Sequence, residues 1–502
     1  MKKDKDNSGK RKQAKVTRRD FLKYGLGMGT MLAVVPIPAR LVGAATFIGP
    51  QPSTKNYDVI VLGHGMAGMA AALAAAEGGA KVAVVEKARK ILSGGNSRIA
   101  GGGFCTPKED TAEAKELFVQ DFMKKSGYRA DKKLTESLAE NVLGDIDWLM
   151  GHGVEFMDST PFPPYHVNMR VAPPGWYRGM PGLLDTVRSK CEGLGMVVHY
   201  ETKAKELLVD SSGRIAGVRA ATKDGLVDLR ARSTVIGTGG FAANVQMLEK
   251  WVGAEADESM VRGVKWATGE GHTMAADVGA VLVQMAGLDT LHVGAVHPKN
   301  TAAANPFRIL PYCVGINKNG QRYVDESLGY VAHGKAAMSQ PDLEVALVFD
   351  QAIADRPEGK AVIEQFAGYG IETIKADTLE QLAPKINAPA DAMANTIKNF
   401  NTAVKDEKAL EADPPKKELA FKIDTPPFYA LYPLKPGITL TFGGIKVNSN
   451  RQALQADGQP IEGLYAAGEC VGGYFLGDYV GGGSLTRCLV DGRAAGTSAA
   501  KG

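Results

Sequence analysis

Tyr57-Asp58-Val59-Ile60-Val61-Leu62-Gly63-His64-Gly65-Met66-Ala67-Gly68 joins an apolar β-branched run to a glycine turn, and an Ala-rich segment follows to Glu77. A short continuous apolar run bounded by glycine reads as a buried parallel strand. The Gly63, Gly65 and Gly68 spacing allows a tight turn, backbone approach to a pyrophosphate and close helix packing. Met66 to Glu77 is expected to be helical, so its N-terminal amides and dipole face the phosphates. A second strand, Lys81 to Val85, runs into Glu86, 23 residues after Gly63 and placed to hold a ribose hydroxyl. Glycine turn, helix, second strand and acid fall in register, which predicts a dinucleotide site.

Further along, Lys87 to Thr106 reads as a glycine-rich loop containing Ser93-Gly94-Gly95-Asn96-Ser97 and Gly101-Gly102-Gly103. Residues 111–150 carry helical periodicity, and residues 196–232 alternate as a β-meander with turns at Asp210–Gly213 and Lys223–Gly225. Ser233 to Ile236 is another buried strand ending in Gly237-Thr238-Gly239-Gly240. From about 292 to 440 the grammar changes: prolines, a strand at Val345–Phe349, a helix at Pro389–Lys405 and a charged stretch, Asp406–Lys417, that reads as a solvated loop. Gly-rich strand-and-turn grammar returns at Gly463–Glu469, with a helix from Ser484. The expected organisation is a cofactor domain in two pieces, 55–291 and 441–502, around an inserted α+β cap, 292–440; 502 residues are too many for one ordinary core.

The basic charge is concentrated at the start. Residues 1–44 hold 11 Lys and Arg against three Asp, a net +8, while the whole chain is +4. The remainder is therefore slightly acidic, and nothing points to nucleic acid as a partner. Thr17-Arg18-Arg19-Asp20-Phe21-Leu22-Lys23 resembles a twin-arginine export motif, followed by a short apolar stretch and Val42-Gly43-Ala44. The expectation is a periplasmic protein with a leader over 1–44 and no transmembrane segment, the apolar stretch being far short of the ~20 residues a span needs. Cys105, Cys191, Cys313, Cys470 and Cys488 form no CxxC, metal or CxxCH pattern. Buried thiols are expected, and any haem must come from a partner.

Taken together, YDVIVLGHGMAGMAAALAA, VVEKARKILSGGNSRIAGGG, STVIGTGGF, TGEGHTMAADVGA and GLYAAGE resemble the fumarate reductase flavoprotein superfamily over residues 57–502. That resemblance implies FAD between a doubly wound domain and an inserted cap. It implies as cofactor contacts Gly63, Gly65, Ala67, Gly68, Glu86, Asn96, Ser97, Gly101, Gly102, Ala204, Asp277, Glu469, Ser484 and Leu485. Asn96 stands where members with covalent flavin carry His, so non-covalent FAD is implied.

At the substrate site the chain departs from the fumarate reductases. Their cap arginine is replaced by Tyr330 in Arg322-Tyr323-Val324-Asp325-Glu326-Ser327-Leu328-Gly329-Tyr330, and a second by Tyr479 in Tyr479-Val480-Gly481-Gly482-Gly483. Thr439 replaces a substrate His. A dicarboxylate wants charge-assisted partners, so fumarate and succinate are disfavoured. Both tyrosines resemble those of 3-ketosteroid Δ1-dehydrogenases, except that Gly329 stands where Pro is common there. The resemblance implies Tyr479 and the Gly483 N–H as donors to a ketone oxygen and Tyr330 as the base removing the α proton. Tyr165 is a candidate third tyrosine; His297 and Arg308 are candidates for residual carboxylate binding. Three readings stay open: desaturation beside a ketone, reduction of an α,β-unsaturated carbonyl compound or acid fed by a separate cytochrome or quinone, and a non-catalytic electron-transfer or sensor subunit.

Overall fold

The computed structural model describes residues 53–159, 166–174, 179–253, 256, 258–285, 291–296 and 304–502. Val59–Leu62 is completely buried and lies at the centre of a six-stranded sheet. On one side run Val82–Val85 and Val197–His199, on the other Ser233–Ile236 and Pro460–Ala466, all parallel. Gln452–Leu454 closes the far edge antiparallel. The chain winds outward in both directions from Val59–Leu62, so the strand order reverses there and a crevice opens at the strands' C-terminal ends. Gly63 and Gly237 leave adjacent strands at that point, Gly63 N–H donating to Val85 O and Gly237 N–H to Leu62 O.

The helix Met66–Glu77 (MAGMAAALAAAE) begins and ends where the sequence places it. It is buried on every side from Met66 to Ala76, which suits a helix apolar all round. Its partner is Gly483–Lys501, whose Gly492 and Gly496 face Ala67 and Ala71; a Cβ at either glycine would run into those backbone carbonyls. Two rows of small residues thus bring the backbones into contact directly under the glycine turn.

Three sequence expectations change here. The run VVHYETKAKELLVD is two strands in two sheets: Val197–His199 joins the parallel sheet, and Lys203–Val209 starts an antiparallel meander with Ile215–Thr222 and Gly225–Arg230. The break carries Glu201 at φ 51°, and Thr202 N–H donates to Glu86 O. Lys87–Thr106 is not one loop but a turn, a short helix Gly95–Ile99 and a strand Gly103–Thr106. Asp406–Lys417 is not simply solvated, because Lys416 is fully buried.

The cap is built on Val345–Asp350, buried throughout, between Val314–Asn317 and the 11-residue Phe428–Ile438. Leu291–Ala295, Ile374–Ala376 and the two-residue Met260–Val261 also pair with Phe428–Ile438. Helices Pro357–Gly368 and Ala390–Ala403 complete a separate core reaching from Val293 to Leu434. A buried ion cluster pins it: Glu326 takes Arg322 at 2.8 Å and Lys416 at 3.6 Å, and Lys416 also donates to Cys313 O at 2.9 Å. Tyr330, first residue of the helix Tyr330–Met338, packs against both cores. The architecture is a doubly wound α/β domain with an inserted α+β cap. All five cysteines are free and buried. No helix among the described residues is long and apolar enough to cross a membrane.

Candidate active site

The crevice at the reversal point is a cleft whose space, counted out to open solvent, is about 860 Å³. Its floor is the glycine turn. Gly63 has φ 103°, in the left-handed region, and a Cβ there or on Gly68 would collide with Gly237 O or Gly63 O respectively. Ser97 Oγ accepts the Met66 N–H at 3.0 Å, so a side chain from the following segment satisfies the first amide of the helix.

Glu86 closes one end. Its carboxylate accepts the Ala88 N–H at 2.6 Å and the His64 N–H at 3.1 Å, one on each oxygen. Burial raises its pKa while those two amides oppose the rise. Beside it, Glu270 receives Lys87 at 2.8 Å and Lys203 at 3.0 Å. Burial alone would raise the Glu270 carboxyl, but hydrogen bonds from Lys87, Thr268 and Lys203 hold it down at about 2.

At the other end Glu469 accepts the Thr441 N–H at 2.9 Å and Asn96 Nδ2 at 3.3 Å. Burial raises its pKa, with Arg487 and those hydrogen bonds opposing. Asn96 is a strap: its Oδ1 accepts the Val264 N–H and its Nδ2 donates to Thr439 O, both at 2.8 Å.

Of the cofactor contacts implied by resemblance, Gly63, Gly65, Ala67, Glu86, Asn96, Ser97, Ala204 and Glu469 line this cleft. Gly68 packs beneath the turn, Gly102 against Ala172, and Ser484 and Leu485 open the helix Gly483–Lys501. Gly101 is exposed, and Asp277 is exposed at the end of Glu270–Asp277; neither lines the cleft. Lys87, Thr202, Lys203, Trp266 and Glu270 line it without having been singled out. Lys87 adjoins Glu86, and Glu270 lies inside TGEGHTMAADVGA, which were the available signals.

The cleft fits FAD on its own chemistry. It is lined by the glycine turn and by the carboxylates of Glu86, Glu270 and Glu469. Two lining groups, the His64 ring and Thr238 Oγ1, are buried without a hydrogen-bond partner. Burial, with Arg188 adding to it, lowers the His64 pKa to about 4, so the imidazole is neutral. Buried polar atoms lacking partners are the exception in folded proteins and suit a ligand that supplies them.

Tyr479 is nearly fully buried, with Phe475 edge-on at 5.1 Å and Phe442 stacked at 6.2 Å. Its hydroxyl oxygen accepts the Ser484 N–H at the helix N-terminus, 3.2 Å away. Burial drives its pKa above the usual tyrosine value, so it stays protonated. The Gly483 N–H, expected as a second donor, already donates to Val480 O at 2.9 Å inside the turn. That expectation is corrected: the amide's hydrogen is spent on the turn. Tyr330 is half-buried at the junction of the cores. Arg308 is exposed, and Tyr165, His297 and the leader lie outside the described residues.

Two buried arginines were missed by reading the sequence. Arg262 sits beside Gly294 and Gly437 in the cap sheet, and burial lowers its pKa to about 10. Arg487, on the first turns of Gly483–Lys501, is fully buried.

The FAD binding domain family matches residues 58–485. The urocanate reductase of Eggerthella lenta is 30% identical over 466 residues, covering 90% of this chain and 76% of that protein. Among solved structures, the open conformation of a flavocytochrome c3 fumarate reductase superposes with TM-score 0.75 at 28% identity, covering 90% of this chain and 79% of that one. The 3-ketosteroid-Δ4-(5α)-dehydrogenase of Rhodococcus jostii, solved with 4-androstene-3,17-dione, gives TM-score 0.71 at 26% identity, covering 91% and 99%. This chain belongs to the FAD-binding flavoprotein superfamily of fumarate reductases and their relatives, and is an FAD-dependent oxidoreductase.

Proposed function

We propose that the chain removes hydrogen from the carbon–carbon bond beside a ketone, in the manner of a 3-ketosteroid Δ1-dehydrogenase. The observation that carries this is Tyr479. Its oxygen accepts an amide hydrogen from a helix N-terminus, and its own proton is kept by burial. Accepting one hydrogen bond strengthens the hydroxyl as a donor. Such a group polarises a carbonyl and steadies the enolate that forms as the α proton leaves. Tyr330, from the seam between the cores, takes that proton. FAD, when bound, supplies the two-electron acceptor. With tyrosines in place of both arginines, the pocket offers shape and hydrogen bonds rather than charge, which suits a cyclic, mostly apolar ketone. Tyr330, Tyr479 and the cleft residues are the site on this reading.

A second reading reverses the direction: reduction of an α,β-unsaturated carbonyl compound or acid with electrons from a separate cytochrome or quinone. The Eggerthella relative, named as a reductase, favours it, as does the lack of any CxxCH haem motif in a chain whose Thr17–Lys23 segment reads as a twin-arginine signal for the periplasm.

An anaerobic screen separates the two. Oxidised holoenzyme bleached by 3-ketosteroids or cyclic ketones supports desaturation. Reduced holoenzyme reoxidised by enones or enoates, with no bleaching by the saturated compounds, supports reduction. No spectral change in either direction across steroids, cyclic ketones and enoates overturns both.

A further inference from the structure

Arg487 is a buried charge with no close ion-pair partner among the described residues. Its side chain is completely buried in the first turns of Gly483–Lys501, yet no carboxylate among the described residues comes within 4.0 Å of it. Its hydrogen bonds are two long ones, to Val471 O and Thr441 O, each 3.5 Å, and its Nε has none. The guanidinium lies 5.1 Å from the centre of the Phe475 ring. The nearby acids are otherwise engaged. Asp491 is taken by Arg451 at 2.6 Å and by Tyr474. Glu469 turns its oxygens to the Thr441 N–H and Asn96; burial raises its pKa, and the Arg487 charge opposes that rise without closing an ion pair. His272, also buried nearby, is neutral, its pKa lowered to about 4 by burial.

Leaving a cation buried and unpaired is expensive, and proteins accept it where a bound group provides the balancing charge. Arg487 does not itself line the cleft. Its neighbour in sequence, Cys488, lines the cleft, as does Glu469, which is hydrogen-bonded to the same Thr441. We propose that Arg487 is the counter-charge for reduced FAD, holding the flavin ring as its monoanion. The balance is simple: oxidised flavin accepts two electrons and one proton at N5, its N1 stays unprotonated, and one negative charge remains over N1 and the C2 carbonyl. The electron pair and proton arrive together as hydride from a saturated substrate, or separately from a redox partner and solvent. Arg487 acts through its field and not by contact, as a positioning residue. This inference requires FAD in the cleft and is independent of which substrate is used.

The test is anaerobic potentiometry of purified holoenzyme, comparing wild type with Arg487→Met and Arg487→Lys. In Arg487→Met the protein's preference for reduced over oxidised flavin falls at least tenfold, a drop of about 30 mV in a two-electron potential. Arg487→Lys, which keeps the charge, holds most of it. Sulfite provides the second readout, because its N5 adduct places the same negative charge on the ring. Wild type forms the adduct, and Arg487→Met binds sulfite at least tenfold more weakly. A potential shifted by less than twofold in relative affinity overturns the proposal, as does a Lys variant as low as the Met variant. If Arg487→Met loses FAD, wild type alone decides: absence of a sulfite adduct overturns the proposal.

Discussion

Replacing Tyr479 by phenylalanine deletes one hydroxyl and leaves the ring in place between Phe475 and Phe442. The two consequences are separable in size. For folding, the Ser484 N–H loses its acceptor, worth ~1–3 kcal/mol where the amide stays shielded from water and less where water reaches it. For catalysis, a lost oxyanion donor costs ~2.7–4 kcal/mol, or about 10²–10³-fold in rate. On the proposed role the hydroxyl serves the same enolate whether hydrogen is being removed or added, so the expected penalty is the same for desaturation and for reduction. Single-turnover stopped-flow of flavin bleaching or reoxidation, at saturating substrate, isolates that step; thermal melting of the same sample reads the folding cost. Burial holds the hydroxyl protonated, so no loss of rate from Tyr479 ionisation is expected below the ordinary tyrosine range near pH ~10. A Tyr479→Phe step within about threefold of wild type, an effect under ~0.7 kcal/mol, would refute the donor role.

Glu86→Ala removes the acceptor of the His64 and Ala88 amides and, on the proposed cofactor contact, that of a ribose hydroxyl; FAD retention measured by dialysis against apoprotein should weaken by ~1–3 kcal/mol, and unchanged retention would remove Glu86 from the site. Lys416→Met breaks the fully buried contact to Glu326 but leaves Arg322 in place, so urea denaturation should show a loss near the lower end of ~3–5 kcal/mol, and an unmoved midpoint would mean the cluster contributes no stability. Glu270 ionises near 2 in the folded protein against 4.5 ordinarily, so its stabilisation is complete above pH 4.5 and lost as pH falls toward 2. The melting-temperature gap between wild type and Glu270→Gln should therefore be full at neutral pH and close below pH 4.5; a gap independent of pH would contradict the ion-pair account.

What the sequence shows well is what local chemistry decides. Met66–Glu77 was legible to the residue because a glycine turn fixes its start and an alanine-rich composition admits no other structure. Val59–Leu62 and Ser233–Ile236 were legible because strands buried on both faces are unbroken apolar runs. The failures share a different cause. Val197–His199 and Lys203–Val209 look like one alternating strand, and only the passage of the chain around Glu86 divides them between sheets. Lys416 looks solvated in a charged stretch, because its partners Glu326 and Cys313 are about 90 and 103 residues away in sequence. Lys87 and Glu270 each look like ordinary surface charges until the fold closes 183 residues between them.

The same distinction governs the chemistry. Glu86 follows from the spacing of one βαβ unit, and the structure brings it to the cleft with its oxygens already oriented by two amides. The substrate groups cannot be obtained so, because they are not local to one another. Tyr479 belongs to the core that holds FAD, on a turn where the Gly483 N–H goes to Val480 O and the Ser484 N–H to the Tyr479 hydroxyl. Tyr330 begins a helix that packs on both cores, after Gly329 at φ 88° turns the chain into it. Tyr479 therefore comes from one core and Tyr330 from the seam between the two, and their separation is set by how the two cores meet rather than by either motif. On the proposed reading, each tyrosine stands where the resemblance expects the arginine charge a dicarboxylate needs. The buried placement of Tyr479 at a helix N-terminus gives a hydroxyl held protonated and fixed by the Ser484 N–H, which the proposed reading uses on a neutral carbonyl.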